Sequence, residues 1–186
     1  LYLKRMNSYF AKQDELFNHQ VKLTDDNECI YAPTLEFNRF YILQHIYRHY
    51  FGEGIGLRQL LDYYYVLLKG GTEESKQRTI EIFRQTGMMK FVGATMWVMG
   101  EVFGMEEKYL LCEPNEKAGK QLLNEIMLAG NFGKYDVRID RKNHHKLLPR
   151  VWNSVKRKVR FIVDYPQEIL FDIPMRTYMY IWKHFV

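Results

Sequence analysis

The chain alternates between stretches whose apolar residues recur at helical spacing and short breaks rich in glycine, proline and small polar residues. Residues 8–18 (SYFAKQDELFN) read as a short amphipathic helix. Residues 19–23 and 28–32 flank the turn-rich Thr24-Asp25-Asp26-Asn27 and predict a small hairpin. Pro33-Thr34 lead into a long helical stretch over 35–51, with Thr34 as the expected N-cap, and Gly52, Gly54 and Gly56 break it. A second helix over 57–69 sets Leu57, Leu60, Leu61, Tyr64 and Leu68 on one face. Gly70-Gly71 end it, and Thr72 with Glu73, Glu74 and Ser75 opens a more polar third helix over 73–86, closed by Gly87.

The nearly charge-free residues 88–103 predict the buried centre of the fold. Pro114 opens a fifth helix to residue 129, with Gly130 past its end. Residues 131–146 show no period and read as a loop. Helices over 148–163 and 175–184 follow, with Tyr165-Pro166 and Ile173-Pro174 as breaks. The pattern predicts an all-α fold, a bundle of about seven helices with a small N-terminal β-hairpin. It divides the chain into 1–34 (helix and hairpin), 35–130 (helical core) and 131–186 (basic loop and C-terminal helices packing on the core).

Composition supports a packed domain: 47% of the 186 residues are hydrophobic and 16% aromatic, ample apolar surface to offset ordering entropy. The longest uncharged run, residues 91–100, is short of the roughly 20 residues of a membrane helix. Two cysteines, Cys29 and Cys112, cannot build a disulfide framework, so a reducing, cytoplasmic setting is expected. The first residues carry charge early and no apolar core, so no signal peptide is read. They also lack an initiator Met, which suggests a piece of something longer.

The formal charge of +5 is uneven. Residues 134–160 hold ten Lys/Arg against two Asp, a local +8, and the rest of the chain is −3. Such a segment, with Arg141, Lys142, Lys146, Arg150, Lys156 and Arg157, suggests nucleic acid or another polyanion as partner, or simply a solvated face. Aromatics do not alternate with these charges, so a single-strand stacking platform has weak support.

Candidate chemistry is sparse. Asn38, His45 and His49 fall on one line of the first long helix, opposite Phe40, Leu43 and Tyr47. His45 and His49, at i, i+4, could hold a metal with Asp62 as third ligand, or could be hydrogen-bonded structural histidines. Arg58 and Asp62 are also i, i+4 and could form an intrahelical ion pair. The glycines at 52, 54 and 56 could present free N–H groups to an anion or simply make a tight turn. An Arg-x5-His spacing occurs at Arg39/His45 and Arg138/His144 and discriminates little. No Walker loop, nucleophile elbow, Cys-x-x-Cys or dinucleotide fingerprint occurs, and the only acidic-x-acidic triplet is Asp26-Asn27-Glu28. No complete active site is expected within these residues.

Residues 37–63, FNRFYILQHIYRHYFGEGIGLRQLLDY, resemble a family of uncharacterised bacterial nucleotidyltransferases of the Bacteroides type, and Asp164-Tyr165-Pro166-Gln167-Glu168-Ile169-Leu170 and Trp182 fit that family's C-terminal end. The resemblance implies a polymerase-β-like enzyme whose N-terminal α/β module carries a Gly-Ser turn and carboxylates for Mg²⁺ and a nucleoside triphosphate, with two metals stabilising the leaving pyrophosphate. A helical C-terminal part would close over the nucleotide and help define the acceptor. This chain has neither Gly-Ser nor Asp-x-Asp, so the catalytic module is expected to be missing, with 1–34 as its remnant or junction. On this reading the chain alone is inactive, and His45, His49, Arg58 and Asp62 are its substrate-binding set.

Overall fold

A computed structural model describes residues 19–22, 29–130, 136, 138, 147–166, 169 and 170. The described part is mostly helical, with six α-helices. Two short strands, β1 (His19–Lys22) and β2 (Cys29–Ala32), pair antiparallel with His19 opposite Ala32. The helices are α1 (Leu35–Gly52), α2 (Leu57–Leu68), α3 (Glu73–Gln85), α4 (Met89–Phe103), α5 (Glu116–Ala129) and α6 (Leu147–Phe161). A 3₁₀ turn, Glu107–Tyr109, lies between α4 and α5. The helices expected over 8–18 and 175–184 lie outside the described residues. Among the described residues no helix is long and apolar enough to cross a membrane.

The helix starts are fixed by local hydrogen bonds. The Thr34 hydroxyl accepts from Phe37 N at 3.3 Å, and the Thr72 hydroxyl from Ser75 N at 3.2 Å. Asn115, not Pro114, opens α5: its side chain accepts from Ala118 N at 3.0 Å, and the helix begins at Glu116. The expected start is thus two residues early, because the Asx side chain supplies the acceptor that proline cannot.

The described residues form two compact units, those up to Tyr50 together with 54–130, and 51–53 together with those from Asp136 onward. In the first, α4 is the buried centre: Phe91, Val92, Ala94, Met96, Val98 and Met99 have no exposed surface. Tyr47 and Tyr50 of α1 pack their rings on Phe91, at 4.9 and 5.4 Å between centroids, and Phe40 packs on Phe83 of α3. Each such side chain contributes about 1.5–3 kcal/mol by burial. The Met96 sulfur accepts from Leu111 N at 3.3 Å, fastening the turn after α4.

Helix α5 lies close against α4 because two glycines leave room. Gly93 O accepts from Asn115 N at 2.9 Å, and a Cβ at Gly119 would fall 2.6 Å from the Cβ of Trp97. Helix α2 corrects one sequence expectation. Its buried line is Leu60, Tyr63 and Leu67, whereas Leu61 is exposed. Turning Tyr63 inward removes more apolar surface from water than turning Leu61 inward.

In the second unit, Phe51 meets Phe161 and Tyr165 edge-on, at 5.3 and 5.0 Å between centroids. The Nε of Arg157 donates to Phe51 O at 3.2 Å, and its guanidinium lies over the Phe161 ring. The face of α6 that carries Asn153, Arg157 and Phe161 is buried, and the one with Trp152, Val155 and Val159 is exposed.

Candidate functional site

Helix α1 presents two opposed faces. Phe40, Leu43 and Tyr47 are buried, while Tyr41 and His45 are exposed and His49 is half-buried. One turn apart, His45 and His49 place their Nε2 atoms 3.1 Å from each other, with rings edge-on and centroids 4.5 Å apart. Tyr41 stacks on His45, and Phe37 stacks on Tyr41 at 5.3 Å. The spacing of four produces this ladder, since residues at i and i+4 lie one above the other. Partial desolvation of the ring, then the neighbouring His49 and Arg48, lowers the His45 pKa from its usual value.

Arg58 and Asp62 project from the exposed face of α2. No ion pair joins them, and neither bonds to His45 or His49. The glycine-broken turn ahead of α2 is closed by Gly56 N donating to the Gln59 side chain at 2.9 Å, which occupies one of the N–H groups an anion would need.

Arg39 and His45 do not form an acid–base pair: Arg39 is 1% exposed and its Nη1 donates to Ser75 Oγ at 3.1 Å, while His45 faces solvent. The other Arg-x5-His spacing ends at His144, outside the described residues. Arg39 belongs to a buried polar group that the sequence reading missed. Its Nε and the Tyr63 hydroxyl have no hydrogen-bond partner among the described residues. Burial lowers the Arg39 pKa, against the raising effect of Tyr63, Glu36 and Glu73, and burial raises that of the Tyr63 phenol. The signal was available: Arg39 shares the i, i+4, i+7, i+11 line of Leu43, Ile46 and Tyr50, all buried.

Of the basic set, Arg141, Lys142 and Lys146 lie outside the described residues, and Arg150 lies in the first turn of α6. Lys156 is exposed, its ammonium 5.7 Å from the Trp152 ring. Arg157 is 3% exposed and serves inside the unit. There, buried Asp136 takes bonds from Arg138 at 2.7 and 2.9 Å and lies 3.6 Å from Arg160 and 3.9 Å from Arg157. Burial pushes the Asp136 pKa up, but the Arg138 side-chain and backbone bonds outweigh it and hold the carboxyl below its usual range. An open groove of about 420 Å³ is lined by Arg138, Trp152, Asn153, Lys156, Val159 and Arg160, among others.

No group of three or more His, Cys, Asp and Glu side chains that could enclose a metal occurs among the described residues. The model of a family described as uncharacterised nucleotidyltransferase matches residues 3–104. No curated protein and no solved structure matches the chain.

Proposed function

The chain belongs to the uncharacterised nucleotidyltransferase family, and we propose that it is the helical, substrate-side part of an enzyme that transfers a nucleotidyl group from a nucleoside triphosphate to an acceptor. The observation that supports this reading is the extent of the family match, which runs through α1 to the residue after α4 and so includes His45, His49, Arg58 and Asp62. The exposed Arg58 guanidinium offers a fork of donors suited to phosphate oxygens, and the imidazoles offer further polar contacts.

Mg²⁺ is the metal such a transfer uses, and the donors among the described residues do not fit it. There is no Asp-x-Asp in the sequence and no group of three or more His, Cys, Asp and Glu side chains that could hold a metal among the described residues. No step is therefore assigned to a metal held here; in this reading a separate module supplies the carboxylates, joined through residues 1–34.

The test is label transfer from α-labelled nucleoside triphosphates by the product of the complete reading frame. Transfer that falls about tenfold or more in Arg58→Ala supports the substrate role. Equal transfer by Arg58→Ala, His45→Ala and Asp62→Ala removes it, and a reading frame that encodes no Gly-Ser…Asp-x-Asp module removes the reading as a whole.

A second reading, a helical module that binds nucleic acid or another polyanion, draws on the groove beside α6. Arg138, Lys156 and Arg160 line it next to the exposed indole of Trp152. Binding by phosphate contacts falls steeply with salt. An RNA or DNA interaction that is absent at low ionic strength, or insensitive to salt, disposes of this reading.

A further inference from the structure

We infer that His45 and His49 form a two-nitrogen chelate for a borderline divalent transition-metal cation, of the class of Zn²⁺, Ni²⁺ or Cu²⁺, on the outer face of α1. Their Nε2 atoms converge at 3.1 Å. Metal–nitrogen bonds of about 2.0–2.1 Å, spanning an angle between about 90° and 109°, put two ligand nitrogens about 2.9–3.4 Å apart. The Nε2 separation therefore matches the bite of a chelate, and turning the two rings about their side-chain bonds aims both lone pairs at one cation without moving the helix. Two histidines at i, i+4 on one helical face are the usual framework for such a bite.

The stacked ladder below supports the rings. Tyr41 lies on His45 with 21° between the ring planes, and Phe37 lies on Tyr41 with 13°. Two ring contacts thus help to orient the imidazole that faces solvent, so little freedom is lost when a cation binds. In the metal-free protein a neutral pair bonded through the 3.1 Å Nε2···Nε2 contact has one ring donating from Nε2–H and the other accepting. Chelation requires both Nε2 lone pairs, so the donor ring moves its proton from Nε2 to Nδ1, and no proton is lost from the neutral pair.

Imidazole nitrogens select the cation class. They suit zinc, copper and nickel, whereas magnesium takes oxygen ligands and keeps its waters. The site is therefore distinct in kind from the Mg²⁺ of nucleotidyl transfer and does not depend on that reading. With no third His, Cys, Asp or Glu ligand grouped with them among the described residues, the bound cation keeps open positions for water or for an oxygen of a second molecule.

Calorimetric titration of the metal-free 186-residue chain with Zn²⁺, and in parallel with Mg²⁺, tests the inference. The expected result is one Zn²⁺ site that weakens about tenfold or more in both His45→Gln and His49→Gln. Mg²⁺ should give no heat that either variant removes. Glutamine keeps a neutral polar side chain, and far-ultraviolet circular dichroism verifies that α1 is intact. The doubly substituted His144→Gln/His145→Gln chain should bind as the wild type does. Absent Zn²⁺ binding, binding unchanged in either single variant, or loss in the His144/His145 variant instead overturns the inference.

Discussion

The backbone of Gly71 lies directly against the guanidinium of Arg39: a Cβ built on Gly71 would sit 2.7 Å from Nη2 and 3.3 Å from Nη1. Gly71 also has φ of +120°, a conformation side chains rarely adopt. Two independent causes therefore oppose any larger residue there. Gly71→Ala should cost about 2 kcal/mol, lowering the melting temperature by about 4–8 °C. The neighbouring Gly70 has φ of +68° with open space beyond it, so Gly70→Ala should cost only about 1 kcal/mol. Thermal denaturation of the two variants side by side checks the ranking.

Arg39 itself separates the cost of a buried charge from the value of buried volume. Its Nε lacks a hydrogen-bond partner among the described residues, and its Nη1 donates to Ser75 Oγ in the interior. Arg39→Met keeps most of the side-chain volume and should leave stability within about 1 kcal/mol of the wild type. Arg39→Ala leaves a cavity and should lose about 2–5 kcal/mol. Urea unfolding distinguishes them; equal losses in the two variants would show that the charge, not the packing, holds α1 to α3.

Gly119→Ala should destabilise although alanine is the better helix former by about 1 kcal/mol. The new methyl would meet the Trp97 ring and its Cβ inside van der Waals distance. Overpacking of this kind costs about 1–3 kcal/mol, so the net effect is a loss, measurable by the same denaturation. A stabilised Gly119→Ala would contradict the close approach of α4 and α5.

The Asp136 carboxyl, held below its usual pKa of 3.8, stabilises the folded state when ionised. A depressed folded value means that this stability is complete above the unfolded pKa and disappears as pH falls through the folded one. Asp136→Asn should therefore cost about 3 kcal/mol at pH 7, and the gap to the wild type should close progressively below pH 3.8. Urea titrations at neutral and acid pH read it directly; a gap that is the same at both pH values would sink the assignment.

His45 should titrate below the ordinary histidine value of 6.5, through partial desolvation first and His49 and Arg48 after it. Nuclear magnetic resonance of the ring should show the midpoint move upward in His49→Ala and, separately, in Arg48→Ala. An unmoved midpoint in both would leave no part of the shift to the two neighbouring side chains.

The helical frame was legible because the chain is punctuated where capping chemistry is strong. Thr72 opens α3 as expected, and Gly52, Gly54 and Gly56 separate α1 from α2. The nearly charge-free residues 88–103 are indeed the buried centre of the first unit. What was not legible depends on partners far along the chain. On α2 the apolar periodicity set Leu61 on the inner face, whereas the larger Tyr63 ring enters instead. Arg157 reads as one more cation of a basic run, yet Asp136 and Phe51 O draw it inside. The ladder from Phe37 to His49 was half legible: spacing gives the shared line, but not that the two Nε2 atoms converge.

The contact between Trp97 and Gly119 also bears on how this chain can change over time. The indole fills the space a side chain at 119 would need, so neither position is free to vary alone. A bulkier residue at 119 becomes tolerable once 97 is smaller, and a chain that has lost its tryptophan gains a vacancy at 119. The two positions thus form a compensatory pair, in which divergence must pass through a simultaneous or strained intermediate step.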